Sequence, residues 1–126
     1  MEFYSRRVLD HFLHPRNPGP MDAPDAVGRS CDEPHQATYV LHLRVRNGRV
    51  EDARFQAQGC VATIAASSAL TVVVQGRTLE EARRISSADL LEELDGMPES
   101  KCFSLEASLR ALHEALDSLE AVDAHA

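Results

Sequence analysis

The sequence predicts an α+β fold in which a small antiparallel sheet, built around a hairpin, is packed on one face by helices. Three observations predict it: alternating apolar residues in the first half, an Asn-Gly turn between them, and a run of helical patterns in the second half. Strands followed by several helices are typical of α+β proteins, whereas regular alternation is typical of parallel sheets. We expect one domain over residues 1–126, with a frayed tail at residues 120–126.

The chain opens with a predicted helix. Apolar residues at mixed three-, four- and five-residue steps indicate an amphipathic helix over residues 3–13, which Pro15 and the following prolines end. Further glycines and prolines in residues 15–36 predict an irregular segment that carries Cys31.

A hairpin follows this segment. Alternating apolar residues predict a strand over residues 39–45. Asn47-Gly48 then predicts a type I′ turn, because this turn needs positive φ at both central positions. The return strand covers residues 50–57, and a shift in its apolar phase at residues 50–53 indicates a β-bulge.

Helical patterns fill the rest of the chain. One helix, over residues 60–75, is apolar nearly all round, so we expect it to be buried against the sheet. Thr78 and Glu81 form a capping-box pattern that opens a short helix. Two further helices are predicted over residues 87–94 and 103–119.

Composition and charge exclude several classes of function. The chain has 13 basic and 20 acidic residues, a formal charge of −7, and no cluster of lysine or arginine, which argues against nucleic-acid binding and against binding to anionic membranes. No segment approaches the roughly 20 apolar residues of a membrane span, and the N-terminus lacks the apolar stretch of a signal peptide. We therefore expect a cytoplasmic protein without a membrane partner.

Three cysteines are the candidate functional residues, namely Cys31, Cys60 and Cys102. Their odd number argues against a disulfide framework, and three inert buried cysteines are the alternative, since no CxxC motif is present. Cys60 and Cys102 stand at predicted helix starts, where unpaired N–H groups favour the thiolate that binds metal or attacks a sulfur donor. Lys101 is either a solvated residue or a charge that lowers the pKa of the neighbouring thiol. We predict that the cysteines converge on one metal- or sulfur-handling site.

Further metal-ligand types surround the first cysteine. Asp32, Glu33 and His35 supply two carboxylates and an imidazole within four residues of Cys31. Thiolate, imidazole and carboxylate are the ligands of tetrahedral zinc, and thiolates also hold iron–sulfur clusters. A solvated loop and a surface histidine are the alternatives for these residues.

Several segments, in order along the chain, match a known family. They are Tyr4-Ser5, Val8, Asp10-His11 and Pro15-Arg16-Asn17; then Glu51-Asp52-Ala53-Arg54-Phe55, Gly59-Cys60, Ile64-Ala65 and Ser67-Ser68; then Gly76, Leu79, Glu81-Ala82, Asp89, Glu92-Glu93-Leu94 and Cys102. On these segments the chain resembles the IscU/NifU N-terminal family of iron–sulfur cluster assembly scaffolds, from residue 4 to about residue 116. The resemblance implies a compact α+β fold whose three cysteines gather at one exposed end.

The resemblance also implies a role as a carrier rather than a turnover enzyme. Cys31, Cys60 and Cys102 would receive sulfur from a cysteine desulfurase and iron from an iron donor, build a [2Fe–2S] cluster and pass it to recipient apoproteins. Such sites also bind zinc before they receive iron. The third cysteine of the family accepts persulfide sulfur, which assigns that role to Cys102.

The chain departs from the family at its first ligand. The usual Cys-Gly-Asp is replaced by Cys31 followed by Asp32 and Glu33, and the stretch before the strand is longer. An ungapped count back from the strand places His35 in the first-cysteine position. Either Cys31 reaches the site with Glu33 as its acidic partner, or His35 is the ligand, and imidazole suits zinc and iron better than the harder carboxylate. The full metal-ligand set that we predict is Cys31, His35, Cys60 and Cys102.

Two further departures widen the functional alternatives. Lys101 replaces the family's histidine before the third cysteine, as in the SufU branch of zinc-dependent sulfurtransferases, although the insertion typical of that branch is absent. The segment presented to the family's dedicated chaperone is represented only by Met97-Pro98-Glu99-Ser100-Lys101, which argues against chaperone-driven release. The alternatives to a scaffold are therefore a SufU-like persulfide acceptor and a degenerate scaffold that binds and regulates a desulfurase.

Overall fold

The structure is a computed structural model that describes the backbone of residues 3–124 and the side chains of residues 3–119. Three antiparallel strands and five helices confirm the predicted α+β fold. The elements are α1 (Arg6–Leu13), β1 (Ala26–Asp32), β2 (Ala37–Arg46), β3 (Arg49–Gln58), α2 (Val61–Val74), α3 (Leu79–Arg83), α4 (Ser87–Leu94) and α5 (Phe103–Ala124), with short 3-10 turns at Glu33–His35 and Glu99–Lys101.

The sheet has the strand order β1-β2-β3, and its central hairpin has the predicted turn. Asn47 and Gly48 have φ values of 54° and 72°, the positive pair that a type I′ turn requires. The pairing of β2 with β3 shifts by one residue, leaving Glu51 as an extra residue in β3. This is the predicted bulge.

Strand β1 corrects the prediction that residues 15–36 form only irregular chain. Its seven residues pair with β2 along their whole length. A Cβ atom at Gly28 would lie 1.8 Å from the carbonyl oxygen of Ala111, so only glycine lets this strand approach the backbone of α5 so closely. Gly28, which in the sequence indicates irregular chain, is therefore a strand residue that allows β1 to pack closely against α5.

The helices cover one face of the sheet, as predicted. Helices α2 and α5 pack on the strands, and α1 and α4 pack on α2. The inner residues of β2 (Tyr39, Leu41 and Leu43) are almost fully buried beneath them. The core thus lies between the sheet and the helix pair, and the site residues lie at one end of this layer.

The helix boundaries follow the predicted signals. The Thr78–Glu81 capping box is formed, and α2 ends just before Gly76, whose φ is +84°. The backbone of residues 120–124 continues α5, while residues 125 and 126 lie outside the described residues, so the frayed tail stays a prediction. Among the helices described here, none is long and apolar enough to cross a membrane.

Candidate functional site

The candidate site lies at one end of the sheet, where the β1–β2 connection, the β3–α2 connection and the start of α5 come together. Because neighbouring strands are antiparallel, the end of β1, the start of β2 and the end of β3 share one edge. Cys31 pairs there with Thr38, which pairs in turn with Gln58. Cys60 follows two residues later as the N-cap of α2.

The start of α5 reaches the same end. The Phe103 ring stacks on the His35 ring, with the centroids 3.6 Å apart and the planes 6° from parallel. Cys102 directly precedes Phe103, and the charge of Lys101 acts on the Cys60 thiol. The fold therefore gathers all four predicted ligand residues at one end of the molecule, although the first and the last of them, Cys31 and Cys102, are 71 positions apart in sequence.

His35 is held by two neighbours. Its Nδ1 atom lies 3.0 Å from Oδ2 of Asp32, and its other contact is the ring of Phe103. A carboxylate only accepts hydrogen bonds, so Nδ1 carries a hydrogen, and Nε2 is the ring nitrogen through which His35 would bind a metal. The His35 side chain remains 45% exposed, whereas Asp32 is 12% exposed. Glu33 is exposed in the same turn.

The Cys60 thiol lies beside the Thr63 hydroxyl at the N-cap of α2. Its Sγ lies 3.7 Å from Oγ1 of Thr63, which lies 3.4 Å from the Tyr39 hydroxyl. Burial raises the pKa of the Cys60 thiol, but the backbone N–H groups of Thr63 and Ala62, the Thr63 hydroxyl and the charge of Lys101 outweigh it. The net effect is a pKa below the usual value, as a helix start favours.

Cys102 differs from the sequence-based expectation. It closes the Glu99–Lys101 turn, and its sulfur faces the carbonyl oxygens of Met97 and Pro98 at 3.8 and 3.6 Å. Burial raises the pKa of its thiol, and the charges of Glu99 and Glu106 raise it further. The expectation that the helix start and Lys101 lower this pKa is wrong, because burial and the two carboxylates raise it and the lysine charge acts on Cys60.

Cys31 is the most exposed of the three cysteines. Successive residues of a strand project to opposite faces of the sheet. Ser30 and Asp32 are partly covered on the helix side, whereas Cys31 projects to the opposite, outer face. Cys31 therefore lies at the same end of the sheet as the other predicted ligands, but on the outer face.

These residues are near one another without forming a finished metal site. Within the described part of the chain, no group of three or more His, Cys, Asp or Glu side chains is arranged to hold a metal ion. The donor types nevertheless fit iron or zinc, since thiolates and an imidazole suit both metals. For ligation, the Cys102 thiol must turn away from its carbonyl neighbours, and Cys31 requires a rearrangement of the end of β1.

Sequence reasoning missed three residues of this end: Tyr39, Thr63 and Phe103. Thr63 carried a usable signal, because a residue three positions after a helix N-cap lies in the first turn beside it. Phe103 adjoins a cysteine, but its stacking partner lies 68 positions away and is set by tertiary structure. In the sequence pattern, nothing distinguishes Tyr39 from the other inward-facing residues of β2.

Comparisons with known proteins find relatives over most of the chain. The chain is 36% identical over 113 residues to the iron–sulfur cluster assembly scaffold protein IscU 1 of Archaeoglobus fulgidus, covering 90% of this chain and 74% of that protein. It is 39% identical over 99 residues to IscU of Escherichia coli, covering 75% and 77% of the two chains.

A solved structure is similar in fold. The crystal structure of a proposed iron–sulfur cluster assembly scaffold for the SUF system of Fervidobacterium islandicum matches with a TM-score of 0.70 at 14% identity, covering 90% of this chain and 96% of that one. A protein-family model described as the NifU-like N-terminal domain matches residues 3–125. The predicted resemblance is confirmed, and the chain belongs to the NifU-like N-terminal domain family.

Proposed function

We propose that this protein is an iron–sulfur cluster assembly scaffold, which carries iron or a nascent [2Fe–2S] cluster as cargo and passes it to apoproteins. The main support is that Cys60, Cys102 and His35 lie at the same end of the molecule, in a fold typical of this family. The His35 ring is also held in one orientation by its neighbours. Similarity to IscU scaffolds supports it. The proposed partners are a cysteine desulfurase, an iron donor and the recipient apoproteins.

The proposed ligands are Cys60, Cys102, His35 and Cys31. His35 is favoured over Glu33 because Asp32 and Phe103 hold its ring with Nε2 available, while Glu33 is an exposed side chain in the turn. A carboxylate bound to the second nitrogen of a histidine is the usual support of a metal-ligating imidazole. A neutral imidazole also adds no negative charge to a site in which three thiolates are already negative, whereas the Glu33 carboxylate would add one.

Cys102 remains the proposed sulfur acceptor. Its thiolate would attack the outer sulfur of the desulfurase persulfide, forming a new S–S bond as the old one breaks and the desulfurase cysteine leaves as a thiolate. The step balances without an added oxidant or reductant. Because the free Cys102 thiol faces carbonyl oxygens and its pKa is raised, docking must first turn it outward and deprotonate it.

One observation favours a second candidate, a zinc-dependent sulfurtransferase. Lys101 stands where scaffolds of the family have a histidine, and its charge acts on Cys60. A lysine beside a thiolate stabilises the anion but does not ligate a metal as histidine does. In this role the protein would hold zinc and accept sulfur from a desulfurase without building a cluster.

Anaerobic purification and reconstitution separate these functions. The scaffold proposal predicts that ferrous iron, cysteine and a desulfurase give a brown protein with iron and acid-labile sulfide, and that the cluster moves to an apo-ferredoxin. Cys60→Ala should bind neither cluster nor zinc tightly. A colourless protein that retains about one zinc and transfers only sulfur would establish the sulfurtransferase. A protein without metal, which alters desulfurase activity, would contradict both proposals.

A further inference from the structure

A buried chain of hydroxyl groups leads to the Cys60 sulfur. The Tyr39 hydroxyl lies 3.4 Å from Oγ1 of Thr63, and this oxygen lies 3.7 Å from Cys60 Sγ. Tyr39 and Thr63 are only 2% and 1% exposed, while the thiol itself is partly exposed at the site. The chain therefore begins inside the core, on β2, and ends at a proposed ligand.

The direction of these hydrogen bonds follows from the chemistry of the three groups. Burial raises the pKa of Tyr39, so the phenol keeps its hydrogen and must donate it. Among the described residues, Thr63 is the hydrogen-bond partner of this phenol. If Tyr39 donates to Thr63, the single hydrogen of the threonine hydroxyl remains free to point at the sulfur. The opposite direction would leave the buried phenol hydrogen without an acceptor.

The backbone next to the thiol is fitted to Thr63 as well. Gly59 has a φ of +153°, and a Cβ atom at this position would lie 2.5 Å from Oγ1 and 2.9 Å from Cβ of Thr63. Glycine is thus required for the backbone to pass so close to the threonine. The Thr63 hydroxyl therefore lies between the Tyr39 hydroxyl and the Cys60 sulfur, next to a backbone position that has room only for glycine.

We propose that Thr63 is a positioning residue that donates a hydrogen bond to the Cys60 thiolate, and that Tyr39 fixes the direction of this bond. The proposal rests on the proposed function, in which Cys60 is a ligand. Hydrogen bonds to a ligating sulfur orient it and reduce its donation to the metal, which tunes both affinity and electronic properties. Through these bonds the buried Tyr39 would influence how Cys60 binds a metal.

Cobalt(II) titration of the full chain, without oxygen, tests this proposal. Cobalt(II) reports thiolate ligation through its sulfur-to-metal charge-transfer absorption. Thr63→Val keeps the side-chain shape but removes the hydroxyl. The sulfur would lose the bond that orients it, so we expect about tenfold weaker cobalt binding, and its stronger donation should move the charge-transfer band to lower energy. Thr63→Ser restores the hydroxyl and should restore both properties. Tyr39→Phe should shift them in the same direction by a smaller amount.

Ser67→Ala is the matched control. It removes a buried hydroxyl one turn further along α2, which donates to the Thr63 carbonyl oxygen rather than to the sulfur, and should leave cobalt binding unchanged. Wild-type affinity and spectrum in Thr63→Val would overturn the proposal. Equal losses in Thr63→Val and Thr63→Ser would also overturn it, since packing alone would then explain them. If Thr63→Val fails to fold, Tyr39→Phe decides, and an unchanged spectrum refutes the inference.

Cys60→Ala separates this inference from the proposed function. If cobalt binding survives Cys60→Ala unchanged, the proposed ligand set is wrong and the role of Thr63 falls with it. If Cys60→Ala abolishes the charge-transfer band while Thr63→Val matches the wild type, the ligand set stands and only the positioning role is refuted.

Discussion

Two polar regions of this molecule use hydrogen bonds in opposite ways. At the junction of α1, α2 and α4, His11 is 1% exposed, and both ring nitrogens have partners, Ser68 at 2.7 Å and Glu93 at 2.9 Å. Ser68 also accepts from the backbone N–H of Arg16, and Glu93 is bonded by Arg7. Each of these groups is engaged by protein.

The cysteine end is held more loosely. Cys31 is exposed, and within the described part of the chain the sulfurs of Cys60 and Cys102 contact oxygen atoms at 3.6 to 3.8 Å, as weak hydrogen bonds to sulfur do. A group that is satisfied by protein stabilises the fold, whereas a group with weak protein partners is available to a ligand. Changes at the helix junction should therefore alter stability, and changes at the cysteine end should alter metal affinity.

The largest effect should come from His11→Ala. It leaves the buried Ser68 hydroxyl and the partly buried Glu93 carboxylate without their shared partner, and we expect the free energy of unfolding to fall by about 3 kcal/mol. Urea denaturation measures it, and zinc affinity of the folded protein should not change. His14→Ala, at the exposed end of the same helix, is the control and should change stability by less than about 0.5 kcal/mol. Equal losses in the two variants would remove the distinction between the regions.

Asp32→Asn should show the reverse pattern. The substitution weakens the carboxylate support of His35, so we expect zinc affinity to fall about 10- to 100-fold, as for other residues that support a ligand. Stability should hardly change. Glu33→Gln removes the same charge from the next residue, which is exposed, and provides the control in a chelator competition assay. A greater loss of zinc affinity from Glu33→Gln than from Asp32→Asn would show that Glu33 is a ligand.

His42 extends the comparison to the outer face of the sheet. Its Nδ1 accepts the backbone N–H of Met21 at 3.2 Å, and burial lowers the pKa of the ring below its ordinary value of 6.5. The folded protein resists protonation, so the stability due to His42 is full above pH 6.5 and falls as the pH drops through the lowered folded-state pKa. His42→Asn keeps an acceptor without titrating, and the stability difference from wild type should shrink on acidification. A difference that stays constant from pH 7.5 to 5 would contradict this.

The smallest effect concerns Ser30, beside Cys31. Its Oγ is the buried side-chain oxygen that lacks a hydrogen-bond partner within the described part of the chain. Ser30→Ala should therefore raise the free energy of unfolding by about 0.5 kcal/mol, since an unsatisfied buried hydroxyl is removed. Ser68→Ala, the same substitution at the helix junction, should lower it by about 1 kcal/mol or more. If both variants lose stability equally, the Ser30 hydroxyl has a role that the geometry does not show.

Local signals predicted most of the fold. The positive φ pair at Asn47-Gly48, the bulge at Glu51 and the Thr78 capping box depend on neighbours in sequence and were confirmed. Strand β1 was missed because Gly28 is explained only by the approach of Ala111 from a distant helix.

The candidate site was predictable to a smaller extent. Its residue types and their meeting at one end followed from the cysteine positions and the family resemblance. The charge around each thiol did not, because the charge of Lys101 acts on Cys60 across the fold and the local turn before α5 directs Cys102 toward the carbonyl oxygens of Met97 and Pro98. The stacking of His35 on Phe103 is likewise absent from any local pattern.

Zinc K-edge X-ray absorption of the wild type and His35→Ala tests the central claim most directly, that His35 joins the cysteines as a ligand. The wild type should show sulfur scatterers at about 2.3 Å together with an imidazole nitrogen at about 2.0–2.1 Å and its outer-ring scattering. His35→Ala should lose the imidazole signal and keep the sulfur shell. An unchanged spectrum in His35→Ala, or a wild-type site with sulfur and carboxylate oxygen only, would contradict the account.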